Sequence, residues 1–488
     1  MLITTDQQRF DSVGMNGSSF IHTPNMDRIG REGVSFKRAY CPNTVCTPSR
    51  TSMMTGVHLS RHGAYNIGTT AIDKNIFFSH LLRNKGYQTH HIGKAHWYPW
   101  GIESPENAIV DEKGTPFKDF TGFEKAELSV GHGTWGVTGH YKRWIESKGF
   151  CPSDFKEQYI LENDANGTAD WELPIELHSG TWIAERAVEF LRNYDNAQSF
   201  YLNLGFQDPH HPHVVPKNYQ RRIDADDIPL TNRKSYNKGL LPEHITHFHN
   251  GTINESRFKG KFAIAGNEGF AWKAYYNDEP KARTTKAYYY TMVQLIDDQL
   301  GVILEELDKL GLSDNTLLIF TSDHGEMLGD HSIGQKGPMV YEGVTHIPLL
   351  IRYPNGFDPC EVEECVSLVD LAPTILDFLN IEDSIQRDGI SLRPRLEKGK
   401  PLERDGVRIE YKEEPNRIRF KCWVTQEWKI AIYFGESFGE LYDLKNDPNE
   451  MNNLFQERGF EGVKTKLLID LLNDMERSEP LSNRTSRV

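Results

Sequence analysis

The stretch "NTLLIFTSDHGEMLGD", residues 315–330, runs from an apolar segment (Leu317, Leu318, Ile319, Phe320) straight into Ser322, Asp323, His324 and Gly325. A short continuous apolar run that ends in polar loop residues is what a parallel strand buried on both faces looks like in sequence. The same pattern recurs in "MLITTD" (1–6), "GYQTHHIGK" (86–94) and "SFYLNLGFQDPHHP" (199–212). Amphipathic helix candidates lie between these runs. The clearest covers about 284–310, where Met292, Ile296, Ile303, Leu307 and Leu310 share one stripe. Strands alternating with helices predict an α/β sheet. Ligands of such sheets bind beyond the carboxyl ends of the strands, which is where Asp6, Lys94, His210 and Asp323 fall.

The character of the chain changes after "VDLAPTILDFLNI" (369–381), a helix with Pro373 near its start. Four alternating segments follow at hairpin-like spacing: "GVRIEY" (406–411), "RFKCWVT" (419–425), "WKIAIYF" (428–434) and "GELYDL" (439–444). A last helix is expected over about 463–475. The predicted organisation is a large α/β domain over 1–390 and a smaller α+β domain over 391–488 with a four-stranded antiparallel sheet.

The 488 residues carry 38% hydrophobic and 25% charged side chains, the make-up of an ordinary globular protein. A net charge of -14 opposes binding of a polyanion by bulk charge, so neither nucleic acid nor an anionic membrane surface is an expected partner. No apolar run is long enough to span a bilayer. "MLITTDQQ" reads as a strand already under way rather than a leader, so the expectation is a cytoplasmic protein, or a periplasmic or secreted one if a leader precedes it. Six scattered cysteines do not make a disulfide scaffold; Cys360 and Cys365 either pair or remain free thiols.

Two acidic strand ends, Asp6 with Gln7 and Asp323 with His324, offer mostly oxygen donors plus one imidazole, a set that suits a hard divalent ion better than Zn²⁺. A cationic set, Arg50, Lys94, His96, His210 and Lys336, would neutralise a sulfate or phosphate group if the loops converge. Taken singly, each of these has an ordinary reading as a turn cap or a solvated charge. The aromatic and histidine-rich middle of the chain (Trp97, Trp100, His132, Trp135, His140, Trp144) either stacks against a sugar or aryl ring or belongs to the core.

"CTPSRTSMMTG" (46–56) fits C-x-P-S-R followed by a turn of small residues and T-G, the pattern that directs oxidation of the cysteine to formylglycine. With "TPNMDRIGREGVSFKRAY", "GYQTHHIGKAHW", the stretch from Thr321 to Pro354 and "GELYDLKNDPNEMNNL", the chain resembles a type I sulfatase over nearly its whole length. The resemblance is weakest between residues 100 and 280. It implies the alkaline-phosphatase-like fold, a central mixed sheet flanked by helices, and maturation of Cys46 by a formylglycine-generating enzyme. It further implies a metal held by Asp6, Gln7, Cys46, Asp323 and His324, with Ca²⁺ chosen over Mg²⁺. Arg50 then matches the arginine that holds the formylglycine, and Lys94, His96, His210 and Lys336 match the sulfate-binding and proton-transfer residues. Thr47, Pro48 and Ser49 are expected to serve the maturing enzyme and not the active site.

The implied chemistry is hydrolysis of a carbohydrate or aryl sulfate ester. One hydroxyl of the hydrated aldehyde attacks sulfur, and the other later loses its proton and expels sulfate as the aldehyde re-forms. Either His210 or Lys336 protonates the departing alcohol. The related phosphonate monoester and phosphate diester hydrolases use the same modified cysteine and tend to carry Gln and His in the metal set, so they remain the alternative. A binder of sulfated glycans that lost maturation is the non-catalytic alternative, and the intact C-x-P-S-R stretch argues against it.

Overall fold

The computed structural model describes residues 1–99, 104–107, 109–155, 168–229, 241–250, 252, 278–412 and 418–479. Nine strands form the main sheet: β1 (Leu2–Thr5), β2 (Val34–Phe36), β3 (Gln88–Gly93), β4 (Phe117–Phe120), β5 (Phe123–Leu128), β6 (Phe200–Gly205), β7 (Leu318–Ser322), β8 (Leu349–Arg352) and β9 (Cys360–Val362). Their order across the sheet is β9-β2-β8-β7-β1-β6-β3-β5-β4. The four runs read as buried strands occupy its centre. There β7, β1, β6 and β3 are neighbours and all parallel, with Thr5 opposite Ser322 and Gly93 opposite Gly205. Antiparallel pairing enters toward the edges, at β7 with β8, β8 with β2 and β4 with β5, which makes the sheet mixed.

The central strands are apolar on both sides because helices cover both faces. Ile3, Leu318 and Phe320 face a core with α1 (Pro24–Arg31), α3 (Ser179–Arg192) and α4 (Glu279–Lys309). Leu2 and Ile319 face another with α2 (Cys46–Thr55) and α5 (Leu371–Phe378). Of the predicted stripe on α4, Met292, Ile296, Ile303 and Leu307 are buried, but Leu310 is 40% exposed. It is the C-cap, one residue past the helix end.

Two glycines bring the strand ends together. A Cβ on Gly93 would sit 2.2 Å from the Gly205 carbonyl, and one on Gly205 would sit 2.0 Å from that of Lys94. Any side chain would therefore push β3 and β6 apart where Lys94 N donates to Gly205 O at 2.8 Å.

The C-terminal sheet consists of β10 (Gly406–Lys412), β11 (Arg419–Thr425), β12 (Trp428–Tyr433) and β13 (Gly439–Asp443), paired antiparallel in sequence order and covered by α6 (Glu461–Arg477). Lys429 of β12 is wholly buried and reaches Val340 O, Glu342 and Glu450, which ties this sheet to the loop after β7. Cys360 and Cys365 are free thiols. Among the described residues no helix is long and apolar enough to cross a membrane.

Candidate active site

Cys46 opens α2, 1% exposed, with Val45 in extended conformation at the N-cap. Arg50 stands one helical turn further on and therefore on the same face. Its guanidinium donates to Asp323 Oδ2 at 2.7 Å, to Asp6 Oδ2 at 3.2 Å and to Lys94 O at 3.1 Å. Arg50 thus bridges the two acidic strand ends. Ser49, expected from the sequence to lie outside the active site, contributes as well: its hydroxyl donates to the Asp323 carbonyl.

Two lysines close over these groups. Lys336, on the loop after β7, places Nζ 3.1 Å from Cys46 Sγ, 3.1 Å from His324 Nε2 and 3.7 Å from Asp6 Oδ1. Lys94 Nζ donates to Asp6 Oδ2 and lies 2.9 Å from His132 Nε2. Burial alone would raise the Asp6 carboxyl, yet Lys94, Lys336 and Arg50 hold it well below the usual carboxylate range. Burial opposes the charge on Lys336, but Cys46, Asp6 and Asp323 raise its pKa, so it stays an ammonium. The Cys46 thiol feels burial upward and Lys336 and Lys94 downward, and settles at about 7.

A wall of imidazoles stands opposite. His132 and His210 stack with ring centres 3.5 Å apart and 7° between planes, and His211 follows at 4.1 Å from His210. His210 Nδ1 is bonded to the His211 carbonyl, which fixes the proton there and leaves Nε2 as the ring's acceptor nitrogen. Burial first, then His132 and Lys336, push His210 well below the ordinary histidine range. His96 is buried within electrostatic reach of Lys94, Asp6 and Arg50. Its backbone N–H donates to Glu106 at 3.0 Å, its Nδ1 has no hydrogen-bond partner among the described residues, and burial and Lys94 lower it to about 3.

The strand-end groups fit a divalent cation. Donor atoms of Asp6, Cys46, Asp323 and His324 all lie within 4.8 Å of one another. Asp6 Oδ1 and Gln7 Oε1 are buried without a hydrogen-bond partner among the described residues, as expected of oxygens aimed at an ion. His324 Nδ1 faces the Gly325 carbonyl at 2.9 Å, so the lone pair of Nε2 points inward.

Comparison with known proteins decides the family. The Sulfatase profile matches residues 1–381, and the profile named N-sulphoglucosamine sulphohydrolase, C-terminal, matches residues 329–477. The chain belongs to the sulfatase family. That family places it in the alkaline phosphatase superfamily, among the sulfuric ester hydrolases. This sulfatase is 28% identical to an arylsulfatase of Clostridium perfringens, covering 98% of this chain and 94% of that one. It is 30% identical to the multifunctional alkaline phosphatase superfamily protein PehA of Trinickia caryophylli, covering 93% and 90%. The crystal structure of the phosphonate monoester hydrolase of Agrobacterium radiobacter superposes with TM-score 0.80 at 24% identity over 98% of this chain and 95% of that one, which supports the fold.

In this sulfatase Cys46, Arg50, Lys94, Lys336, Asp6, Gln7, Asp323 and His324 form one cluster, His210 stands beside it through His132, and His96 is within electrostatic reach of its Lys94, Asp6 and Arg50. Three residues that the sequence did not assign to the site belong to it. His132 carries Lys94, while His211 and Glu326 hold the Gln7 side chain. The signal for Glu326 lies in "SDHGE" itself, two residues beyond His324. Nothing in the sequence around His132 sets it apart from His140 or Trp144, which are buried elsewhere: His140 accepts from Leu128 N and Trp144 donates to Glu185. Trp97 is core, packed on Phe120 and Phe123. Trp100 and the side chain of Trp135 lie outside the described residues.

Proposed function

We propose that this sulfatase hydrolyses a sulfate monoester, of a carbohydrate or aryl alcohol, to the alcohol and inorganic sulfate. The observation that carries the reading is two buried lysines from different loops, Lys336 against Cys46 and Lys94 against the neighbouring Asp6 and within electrostatic reach of Cys46. Buried ammonium groups beside a nucleophile position are suited to an anion whose charge grows on its terminal oxygens during transfer.

Cys46 acts as formylglycine, its hydrate being the nucleophile. Asp6, Gln7, Asp323 and His324, with residue 46, would hold a divalent metal, for which Ca²⁺ is chosen over Mg²⁺, and the metal when bound would supply Lewis-acid activation at residue 46. Arg50 keeps the Asp6 and Asp323 carboxylates in register. Lys94 and Lys336 bind the sulfate oxygens. His210, with its Nδ1 proton tied to a carbonyl, presents Nε2 to the departing alcohol and delivers the proton as the S–O bond breaks. The imidazolium this requires is disfavoured by burial and the neighbouring lysines until an anionic ester enters and offsets their charge.

Hydrolysis of a phosphonate monoester or phosphate diester is the second reading. It is favoured by the neutral ligands Gln7 and His324 and by the likeness to PehA and the phosphonate monoester hydrolase. These substrates carry the same single negative charge as a sulfate monoester, so charge alone does not separate them. Steady-state kcat/KM on matched aryl sulfate and aryl phosphonate esters does. A phosphonate preference of orders of magnitude would overturn the first reading.

A further inference from the structure

Among the candidate ligands, Gln7 has a polarity that a half-turn of its last torsion would invert. Its oxygen attracts a cation and its NH2 repels one, and the two ends are nearly equal in size, so packing does not choose between them. The choice is made behind the site. Gln7 Nε2 donates to Glu326 Oε2 and lies 3.2 Å from His211 Nδ1, two acceptors for its two hydrogens. Oε1 is left buried and unpartnered among the described residues. The backbone is held just as firmly, with Gln7 N on Asp323 Oδ1 at 3.1 Å and Gln7 O accepting from Tyr289 at 2.8 Å.

Glu326 is itself immobilised. Its Oε1 accepts from Leu328 N at 3.0 Å and from Gln335 N, immediately before Lys336. Arg9 Nη1 clamps the carbonyls of Glu326 and Met327 at 2.8 and 3.1 Å. The carboxylate is wholly buried and has no part in the reaction described above. Around the site, Arg50, Lys94 and Lys336 already crowd the Asp6 and Asp323 carboxylates, so a divalent ion meets three cations against two anions.

We propose that Glu326 is a positioning residue of the metal centre, which locks the Gln7 amide with its oxygen toward the cation and sets a third negative charge directly behind that ligand. This rests on reading Asp6, Gln7, Asp323 and His324 as a divalent-metal site. An anion one hydrogen bond behind the ligand attracts the ion without occupying a coordination position, and it polarises the amide oxygen through the N–H bond.

The test is Ca²⁺ affinity of the full chain by isothermal titration calorimetry. In Glu326→Gln the new NH2 faces the NH2 of Gln7, the Gln7 amide turns over, and Ca²⁺ binding is expected to weaken about 10- to 100-fold. The metal-free melting temperature should stay near wild type, since the substituted side chain keeps a carbonyl oxygen that accepts from the Leu328 and Gln335 amides. The double variant Gln7→Glu/Glu326→Gln restores a donor-acceptor pair with the charge moved inward, and is expected to bind Ca²⁺ at least as tightly as wild type. A purely structural role for Glu326 gives no such rescue. Glu326→Gln binding within twofold of wild type, or a folded double variant as weak as the single one, overturns the proposal. If the single variant does not fold, the double variant carries the test alone. Wild-type protein that binds neither Ca²⁺ nor Mg²⁺ overturns the metal reading, and the proposal with it.

Discussion

Lys336 Nζ lies 3.1 Å from Cys46 Sγ although 290 residues separate the two in sequence. In unconverted protein this contact, with Lys94, holds the thiol at about 7 against the upward push of burial. Lys336→Met is therefore expected to move the thiol ionisation upward. The pH dependence of iodoacetamide alkylation of Cys46 measures it, and an unchanged midpoint would show that Lys336 does not face the sulfur. In converted enzyme the same change should lower kcat about 100-fold or more, as loss of a charge-stabilising donor does.

Arg50 bridges two wholly buried carboxylates. Removing it leaves Asp323 without its guanidinium and Asp6 with only the two lysines, and Arg50→Ala is expected to cost about 3 kcal/mol of stability or more. Arg50→Lys keeps the charge but cannot fork to both partners. Urea unfolding of the two variants, together with formylglycine content of the Cys46 peptide by mass spectrometry, separates the structural role from the maturation role. Normal stability in the alanine variant would contradict the bridge.

If Asp6, Gln7, Asp323 and His324 hold Ca²⁺, chelation abolishes turnover and lowers the melting temperature, and adding Ca²⁺ reverses both. At a free concentration 100 times Kd the stabilisation is about 2.7 kcal/mol. A melting temperature indifferent to both EDTA and Ca²⁺ counts against the site.

His62, His91 and His178 are buried and neutral, lowered by burial to about 3, 3 and 4. His62 meets the Ser52 hydroxyl at 2.9 Å, and His91 meets Asn203 at 2.9 Å. Because the folded pKa lies below the unfolded value near 6.5, the unfolded chain takes up protons that the native chain refuses. Stability is thus full above about pH 6.5 and falls as pH drops toward 4, by about 1.4 kcal/mol per pH unit for each histidine. Burial raises Asp208, Asp297 and Glu450 to about 7, 7 and 8, which acts with the opposite sign, so denaturant midpoints at pH 7 and pH 5 are compared between wild type and His91→Asn, and the wild type should lose more on acidification. A smaller loss in the wild type than in the variant would refute it.

His132 stacks on His210 and receives Lys94, whereas in the proposed reaction it is His210 that protonates the leaving group. His210→Ala is expected to lower kcat by about 10²- to 10⁴-fold, the range for a general acid. His132→Ala should cost less, on the order of tenfold, by letting Lys94 and the His210 ring drift. An alcohol leaving group of low pKa needs little protonation and should rescue the His210 variant but not the His132 variant. Equal rescue of both would mean that His132 takes part in the proton transfer.

The sequence by itself determined the central sheet and the identity of most groups at its edge. "LLIFTSDH" and "MLITTD" are apolar through the strand and polar at its end, and the position after a buried parallel strand is a fixed place in such a fold. Asp6, Asp323, Lys94 and His210 were legible for that reason, and Cys46 with Arg50 because they stand in the C-x-P-S-R pattern that carries the family resemblance. The C-terminal hairpins were legible from their alternation.

The tertiary structure alone decided how these groups meet. Arg50 holds Asp6 and Asp323 because α2 packs under both strand ends, which no local pattern encodes. His132 enters the site, where its Nε2 meets Lys94, because of where the loop that carries it runs and not because of any local pattern. Gln7 points its oxygen inward because Glu326, 319 residues away, takes the other end of the amide. A side chain's type and neighbours in sequence say what it can donate or accept, but which partner claims each atom is fixed by packing of segments far apart in the chain.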